Sequence, residues 1–162
     1  SRGLGDVYKR QINEPLAHNF SFENYKELHR VLFDDLYEWA GKPRTIALSK
    51  TATIFTAPER IEELGSLIFA RLKELDYFTK LSQNEFISEI AELYHSLNML
   101  HPFREGNGRT ERVFFVQLIR NAGYDIDYST LNSDLLMIGS IQAATGVMDT
   151  LVRFFEENIV SR

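Results

Sequence analysis

Residues 101–112 read HPFREGNGRTER, and this segment combines most of the groups that a phosphate-binding active site needs. Gly106 and Gly108 flank Asn107, so the backbone can turn sharply there and adopt positive φ without a Cβ penalty. Apolar residues resume a few positions later, which predicts a helix that begins near Arg109. Because the unpaired N–H groups at a helix start and the helix dipole both favour negative charge, we expect an anion to bind there.

The charged residues of the segment indicate which anion this is. Arg109 and Arg112 lie three positions apart, so both guanidinium groups should share one face of the first helical turn. Two arginines and several backbone N–H groups suit a polyphosphate better than a single phosphate. Glu105 supplies one carboxylate, which suits Mg²⁺ because this ion commonly takes its other ligands from substrate phosphates and water. The sequence therefore predicts a magnesium nucleotide as the ligand.

His101 lies on the other side of the turn, where a preceding helical pattern ends. Pro102 disfavours a further helical residue at position 101, and Phe103 is expected to anchor the loop in the core. An imidazole with a pKa near neutrality can accept the proton of an attacking hydroxyl. We therefore predict that His101 is a general base for attack on a nucleotide phosphate.

The same twelve residues fit the Fic-family motif HPF-x-[DE]-GNGR-x-x-R at every specified position. Residues 22–44 also resemble the first core helix of that family with its Trp-Ala-Gly exit, and residues 48–55 resemble its flap segment. The resemblance implies an all-α domain that transfers AMP from ATP to a serine, threonine or tyrosine hydroxyl of a target protein and releases pyrophosphate.

The resemblance also implies a role for each residue of the motif. His101 would deprotonate the target hydroxyl, and Glu105 would hold Mg²⁺ between the α- and β-phosphates. The turn at residues 106–108 would form the anion hole, with its asparagine near the α-phosphate. Arg109 would contact the β-phosphate and Arg112 the γ-phosphate.

The identity of the donor stays open at the level of sequence. The kinase-like branch of the family has lysine in place of the second glycine of the turn, so Gly108 favours AMP transfer over phosphorylation. Nothing in the turn reads the base, however, and some family members transfer UMP, phosphocholine or phosphate. A further alternative is a catalytically idle module that binds a peptide through the flap, although the intact His101 and arginines weigh against it.

The helical period fails between Arg44 and Phe55. Residues 45–48 alternate as a strand would, and residues 49–51 are typical of a turn, which together predict a short β-hairpin. In the family such a flap lies over the site and holds the target peptide by strand addition. An ordinary surface loop with two apolar anchors is the alternative. The candidates for target or nucleotide contact are Lys50, Thr51, Ile54 and Phe55.

The remaining sequence predicts a bundle of about six helices. The first begins after Ser21 as N-cap and ends at Gly41. Residues 56–59 and 82–85 have the capping-box pattern and predict the starts of the second and third helices. The fourth, after the glycine turn, is apolar on nearly every side and is predicted to be the buried centre. Two shorter helices are predicted over residues 131–144 and 148–159.

Composition limits the class of protein. The chain has 162 residues, of which 44% are apolar, and this is enough for one sizeable core. It has no apolar run long enough to span a membrane. A net charge of −5 argues against broad nucleic-acid binding, and the absence of cysteine excludes disulfides and thiolate metal sites. We expect a cytoplasmic protein, with a secreted effector as the alternative.

The first residues differ in character from the remainder. DVYKRQ at residues 6–11 is the translation of GAT GTG TAT AAG AGA CAG, a transposon-end tag used in preparing sequencing libraries. Our hypothesis is that residues 1–11 are non-native read-through and that residues 12–162 form a single Fic domain that has lost its native N-terminus. Source DNA from an independent library would contradict this if the gene continued upstream through the same codons.

The sequence also bears on regulation. Many Fic proteins are inhibited by a helix with the pattern [ST]-x-x-x-E-[GN], whose glutamate pairs with the second arginine of the motif. The nearest matches here end at Glu23-Asn24 and Glu157-Asn158, and both lack the serine or threonine. We therefore expect the inhibitory element on an antitoxin-like partner protein or on a lost flank, and we expect this chain to be active by itself.

Overall fold

The computed structural model describes residues 10, 19–127 and 131–162, and these form six α-helices and two small antiparallel β-pairs. The predicted all-α bundle with a short hairpin is confirmed. The hypothesis about residues 1–11 concerns positions that, apart from Arg10, lie outside the described residues. The helices are α1 (Phe22–Phe33), α2 (Ile61–Glu74), α3 (Gln83–Leu100), α4 (Asn107–Asn121), α5 (Ser133–Ala144) and α6 (Asp149–Asn158). The strands are β1 (Ser49–Lys50), β2 (Thr53–Ile54), β3 (Tyr124–Asp125) and β4 (Val160–Ser161).

Helix α4 is the buried centre of the bundle, as its apolar pattern predicts. Every residue from Val113 to Ile119 is buried. Helices α1 and α3 both pack against α4, while α2 packs on α3, and α5 and α6 pack on each other. Since α4 begins at the glycine turn, the predicted phosphate site lies where the central helix reaches the surface.

Two of the predicted N-caps are confirmed. The Ser21 hydroxyl accepts a hydrogen bond from the Asn24 backbone N–H at 3.1 Å, and α1 follows directly. The Ser82 hydroxyl accepts from the Glu85 N–H at 3.3 Å and donates to the Glu85 carboxylate at 2.7 Å. Caps of this kind each stabilise a helix by about 1 kcal/mol. These local hydrogen bonds explain why the two helix starts can be predicted from the sequence.

The first helix is shorter than predicted. It ends at Phe33 instead of continuing towards Gly41, and turns connect the two positions. The apolar spacing continues past Phe33, but Tyr37 and Trp39 use their side chains elsewhere: their rings stack at a centroid distance of 4.2 Å, and the Tyr37 hydroxyl bonds to Glu105. Tertiary contacts of these aromatic rings therefore override the local helical pattern.

The predicted capping box at Thr56 is wrong. Helix α2 begins at Ile61 after a 3-10 turn over Pro58–Arg60, and no side chain caps that turn. The Thr56 N–H and hydroxyl instead bond to the Met99 carbonyl, at 3.0 and 3.1 Å. Thr56 thus connects the end of the hairpin segment to α3, a use that sequence spacing alone does not reveal.

The hairpin exists but lies four residues beyond its predicted first strand. The structure pairs Ser49 with Ile54 and Lys50 with Thr53, so the turn falls at residues 51 and 52. The segment predicted as a strand is bent, because the Ile46 carbonyl accepts a hydrogen bond from the buried Arg44 guanidinium instead of from a neighbouring strand.

Candidate active site

The site is built around the loop that joins α3 to α4. His101 caps α3 in the left-handed region, with φ 42° and ψ 61°, and its N–H bonds to the Leu97 carbonyl at 3.0 Å. Gly106 caps α4 with φ 83°. A Cβ on Gly106 would lie 2.5 Å from a ring carbon of Phe33, so only glycine fits. Left-handed backbone costs about 1–3 kcal/mol for a residue such as histidine, so other contacts must hold His101 in place.

Asn107 supplies one of these contacts. Its side chain is only 5% exposed and forms two hydrogen bonds to the backbone of Phe103. The Phe103 N–H donates to Oδ1 at 3.0 Å, and Nδ2 donates to the Phe103 carbonyl at 2.8 Å. The Asn107 amide therefore braces the loop from inside, which fixes the separation between His101 and the start of α4.

His29 of α1 supports the loop from the opposite side. It is fully buried, accepts a hydrogen bond at Nδ1 from the Gly41 N–H (2.8 Å) and lies with Nε2 2.9 Å from the Glu105 carbonyl. Because Nδ1 accepts, Nε2 must carry the proton and donate to Glu105. The His29 ring also stacks on Phe103, which is completely buried, at a centroid distance of 3.8 Å.

The first turn of α4 offers unpaired hydrogen-bond donors. The Thr110 N–H is the first to have a protein acceptor, the Gly106 carbonyl at 3.1 Å. In the part of the chain that the structure describes, the N–H groups of residues 107–109 have no acceptor. Arg109 and Arg112 are exposed on the same turn, and neither belongs to an ion pair between described residues. These donors form a cradle for an anion.

The His101 imidazole lies between the loop and the flap. Its ring stacks on Phe55 with a centroid distance of 3.9 Å and an interplanar angle of 10°. Nδ1 is buried, so Nε2 is the ring nitrogen that can meet a substrate. Burial, reinforced by the nearby charge of Arg44 and to a smaller extent by that of Lys50, lowers the pKa of His101 to about 4, while an interaction with the Asn98 backbone opposes this shift.

Glu105 is exposed beside the cradle, and one of its oxygens is held in place. The Tyr37 hydroxyl donates to Oε2 at 2.7 Å, and this hydrogen bond raises the pKa of the Tyr37 phenol. The Tyr37 ring is itself stacked on Trp39, and the Arg104 guanidinium lies 5.9 Å from the Trp39 ring. The carboxylate thus has a fixed orientation before any ligand arrives.

The four flap candidates do not share one environment. Phe55 is buried against the imidazole, as described above, and is the one that the structure brings to the centre of the site. Lys50 is exposed in β1, and its charge reaches His101. Thr51 forms the turn with φ 55°, and Ile54 is 78% exposed on β2. The hairpin therefore presents one side chain to His101 and the others to solvent.

Sequence reasoning assigned no role to several residues that build the site. Arg44, Tyr37 and Trp39 lie in the segment that follows α1, and their contacts join it to the loop between α3 and α4. The hydrogen bonds by which His29 and the Asn107 side chain support the loop were not predicted either. No spacing rule connects these positions, because each contact joins segments far apart in sequence.

Comparison with known proteins identifies the chain. A family model described as the Fic/DOC family matches residues 19–119, which is more than half of the sequence. The chain belongs to the Fic/DOC family. The matched range contains the first helix, the flap, the whole loop and almost all of α4. It therefore includes every residue of the site described above.

Relatives in bacteria carry names that describe an activity. The probable protein adenylyltransferase y4lH of Sinorhizobium fredii is 38% identical over 79% of this chain and 67% of its own length. The protein adenylyltransferase VbhT of Bartonella schoenbuchensis is 35% identical over 89% of this chain but only 30% of its own length. Protein adenylyltransferases are nucleotidyltransferases. The chain thus spans about two thirds of one relative and less than a third of the other.

Solved structures share the fold of this Fic chain. The N-terminal Fic domain of a VirB-translocated effector from Bartonella quintana, solved with bound ADP, superposes with a TM-score of 0.88 at 25% identity and covers 99% of this chain and 85% of that one. The BepC effector from Bartonella tribocorum, solved with bound AMPPNP, gives a TM-score of 0.89 at 23% identity over 99% and 86%. The latter likeness concerns the fold alone. Among the described helices of our chain, none has the length and apolar character to cross a membrane.

Proposed function

We propose that this Fic protein is a protein adenylyltransferase that transfers AMP from ATP to a hydroxyl of a target protein. One observation carries the proposal: a single braced loop joins the His101 imidazole to the unpaired N–H groups at the start of α4. The loop therefore holds a base and an anion cradle in one rigid unit. The adenylyltransferase names of the relatives support the same assignment.

The triphosphate would dock against the N-terminus of α4. The free N–H groups of residues 107–109 and the helix dipole would bind phosphate oxygens, while the exposed Arg109 and Arg112 add bidentate donors. The Asn107 side chain already bonds to Phe103, so we assign it the role of bracing the anion hole, to which it contributes its backbone N–H. Donors fixed in this way need no rearrangement as charge develops on the phosphates.

Glu105 fits a Mg²⁺ ion bound together with the nucleotide. It is one exposed carboxylate with Oε2 oriented by Tyr37, and Mg²⁺ commonly combines one or two carboxylates with substrate phosphates and water. When bound, the ion would neutralise phosphate charge. Orientation of the carboxylate by Tyr37 would limit the conformational entropy that binding costs.

In the transfer step the target hydroxyl oxygen attacks the α-phosphorus, a new P–O bond forms, and the bond to the β-phosphate breaks with release of pyrophosphate. Nε2 of His101 accepts the hydroxyl proton. Because the pKa of His101 is lowered to about 4, the imidazole is neutral and able to accept a proton throughout the physiological pH range. Such a base typically accelerates a reaction about 10²–10⁴-fold.

The flap is the proposed docking place of the target. Its strands β1 and β2 are short, exposed and adjacent to the base, and an extended peptide could add to them through main-chain hydrogen bonds. Ile54 and Lys50 are exposed and available to contact the peptide, while Phe55 keeps the hairpin against His101. This arrangement would bring a target hydroxyl close to Nε2.

Labelled nucleotides test the proposal directly. The wild-type protein, His101→Ala and His95→Ala are incubated with lysate and ATP labelled at either the α- or the γ-phosphate. His95 lies on the same helix outside the site and provides a matched histidine control. We expect α-label on protein with wild type and with His95→Ala, and a loss of about 10²–10⁴-fold with His101→Ala.

The same assay separates the alternatives. Label that comes only from the γ-phosphate would indicate a kinase, and label from UTP or CDP-choline but not from ATP would indicate another donor. Equal labelling by wild type and His101→Ala would contradict the role of the base. Binding of a target peptide without any labelled product would favour an idle binding module.

A further inference from the structure

The buried Arg44 guanidinium lies between the flap and the catalytic loop. It is only 3% exposed, and four hydrogen bonds connect it to backbone carbonyls. Nε donates to the His101 carbonyl at 2.7 Å, and Nη2 donates to the Leu100 carbonyl at 3.3 Å. Nη1 donates to the Ile46 carbonyl at 2.7 Å, and Nη2 also donates to the Thr56 carbonyl at 2.6 Å.

These acceptors come from the two sides of the hairpin and from the end of α3. Ile46 precedes β1 and Thr56 follows β2, so the guanidinium bonds to the chain on both sides of the flap. Leu100 ends α3 and His101 caps it. Within the described chain, Arg44 has no carboxylate partner, so its buried charge is compensated by these carbonyl dipoles. Only the planar fork of arginine can donate in all these directions at once.

We propose that Arg44 is a positioning residue that ties both ends of the flap to the carbonyls of Leu100 and His101, and so holds the docked target and the imidazole in one geometry. The claim that the flap carries a target rests on the proposed function. The connection that Arg44 makes between the flap and the end of α3 does not depend on that function. The Arg44 N–H adds a further bond of 2.8 Å to the Pro102 carbonyl, so backbone and side chain act on the same loop.

The connection also accounts for two properties of His101. Its backbone is left-handed, with φ 42°, and the bond from Arg44 to its carbonyl opposes relaxation of that conformation. Two positive groups act on its ring, Arg44 from the segment that follows α1 and Lys50 from β1, and both favour the neutral imidazole. We therefore expect Arg44 to influence His101 in two ways: its hydrogen bond fixes the geometry of the imidazole, and its charge disfavours protonation of the imidazole.

Two substitutions separate charge from geometry. Arg44→Lys keeps a positive charge but cannot donate to four carbonyls, whereas Arg44→Gln also removes the charge. Arg71→Gln is the control, because Arg71 is a 58% exposed arginine that pairs with Glu89 away from the site. For each variant, kcat and KM for transfer are measured separately, and the His101 imidazole is titrated by NMR. The chain has four histidines, so the signal that His101→Ala removes identifies His101.

We expect kcat to fall by about 10–100-fold in both Arg44 variants, because small misplacements of reacting groups have effects of this size, with little change in KM for ATP. The His101 pKa should rise in Arg44→Gln and stay near the wild-type value in Arg44→Lys. A folded Arg44→Gln protein with the kcat and the His101 titration of wild type would overturn the proposal. So would equal effects of Arg71→Gln.

A measurement on the wild type covers the case in which both variants fail to fold. NMR exchange rates of the arginine side-chain N–H protons should single out Arg44 as slowly exchanging, since four of its donors are buried and bonded. Exchange as rapid as that of the exposed arginines would exclude the connection. Neither NMR readout requires transfer activity, so failure of this inference is distinguishable from failure of the proposed adenylyltransferase function.

Discussion

At the scale of single residues, the environment of His101 differs from that of an ordinary surface histidine. Its ring is covered on one face by Phe55, and Nδ1 is enclosed. Burial and the neighbouring positive charges lower its pKa to about 4, so the neutral form is available well below pH 6.5. A base with a low pKa accepts a proton less readily, but at neutral pH almost all of it is in the neutral form that can accept one.

The pH dependence of transfer should reveal this environment. We expect kcat/KM to stay nearly constant between pH 6 and 8 and to fall only as the pH approaches the His101 pKa of about 4. The measurement is initial transfer rates over pH 4.5–8, with His95→Ala as the matched control. A rate that already halves near pH 6.5 would show that the imidazole titrates normally and that burial does not govern it.

At the scale of elements, the site depends on how α3 turns into α4. His101 and Gly106 both adopt left-handed backbone, and the segment between them is fixed by Asn107 and His29. The next glycine, Gly108, is different: it lies inside the first turn of α4 with open space around it. One glycine of the motif is therefore required by the backbone and by packing, while the other leaves room near the proposed phosphates.

Alanine substitution should distinguish the two glycines. Gly106→Ala places a Cβ 2.5 Å from Phe33 in left-handed backbone, and we expect a loss of about 2–4 kcal/mol in the free energy of unfolding from strain and overpacking. Gly108→Ala meets no atom within 4 Å and should be neutral or stabilise α4 by about 0.5–1 kcal/mol. Urea unfolding measures both, and equal destabilisation would show that the loop geometry described here is wrong.

At the scale of the whole molecule, three buried groups in the described part of the chain couple stability to pH between about pH 4 and 8. Burial lowers the pKa of His29 and of His101 to about 4. Burial raises the pKa of Glu111 in α4 to about 8, although its hydrogen bond with Tyr94 and the charge of Arg112 act in the other direction. The core of this small bundle therefore prefers two neutral imidazoles and one protonated carboxyl.

The free energy of unfolding should be greatest near pH 6.5. The unfolded chain binds the histidine protons more strongly, so stability rises as the pH rises from about 4 to 6.5. The folded chain holds the Glu111 proton, so that contribution is complete below pH 4.5 and is lost as the pH rises through about 8. We expect a net decrease of about 1 kcal/mol between pH 6.5 and 8, because a loss of about 1.6 kcal/mol from Glu111 is partly offset by the remaining gain of about 0.4 kcal/mol from each histidine.

Glu111→Gln provides the control for this prediction. Glutamine has nearly the same shape and can still accept a hydrogen bond, but it does not ionise. Urea unfolding of both proteins at pH 5, 6.5 and 8 should show that the decrease above pH 6.5 is present in wild type and absent from the variant. A decrease of the same size in both proteins would exclude Glu111 as its source.

Regulation also belongs to the whole molecule. In the described chain, neither glutamate of the two sequence matches to the inhibitory pattern forms an ion pair with Arg112. Glu23 pairs with Lys26 at 2.8 Å, and no ion pair of Glu157 is found there. We propose that inhibition comes from an antitoxin-like partner or another segment that reaches Arg112. The purified chain should then label target protein without any activating step. Failure of the purified, partner-free chain to label its target would contradict this.

The sequence by itself determined where the motif lies and where most of the helices begin. Ser21 and Ser82 cap helices through bonds to residues three positions away, and the apolar pattern of α4 requires burial on all sides. The glycine turn before α4 likewise follows from backbone freedom at Gly106. These features could be predicted because the interactions that fix them are local or depend only on the period of the pattern.

Only the tertiary structure decided how the site is held together. The end of α1 at Phe33, the use of Thr56 by α3, the position of the hairpin and the four bonds of Arg44 all join segments far apart in the chain. Local propensity contains no information about such partners, because the relevant carbonyls and rings become neighbours only after the helices pack. The sequence thus specified the residues of the proposed site, and the packing of the bundle specified their orientation.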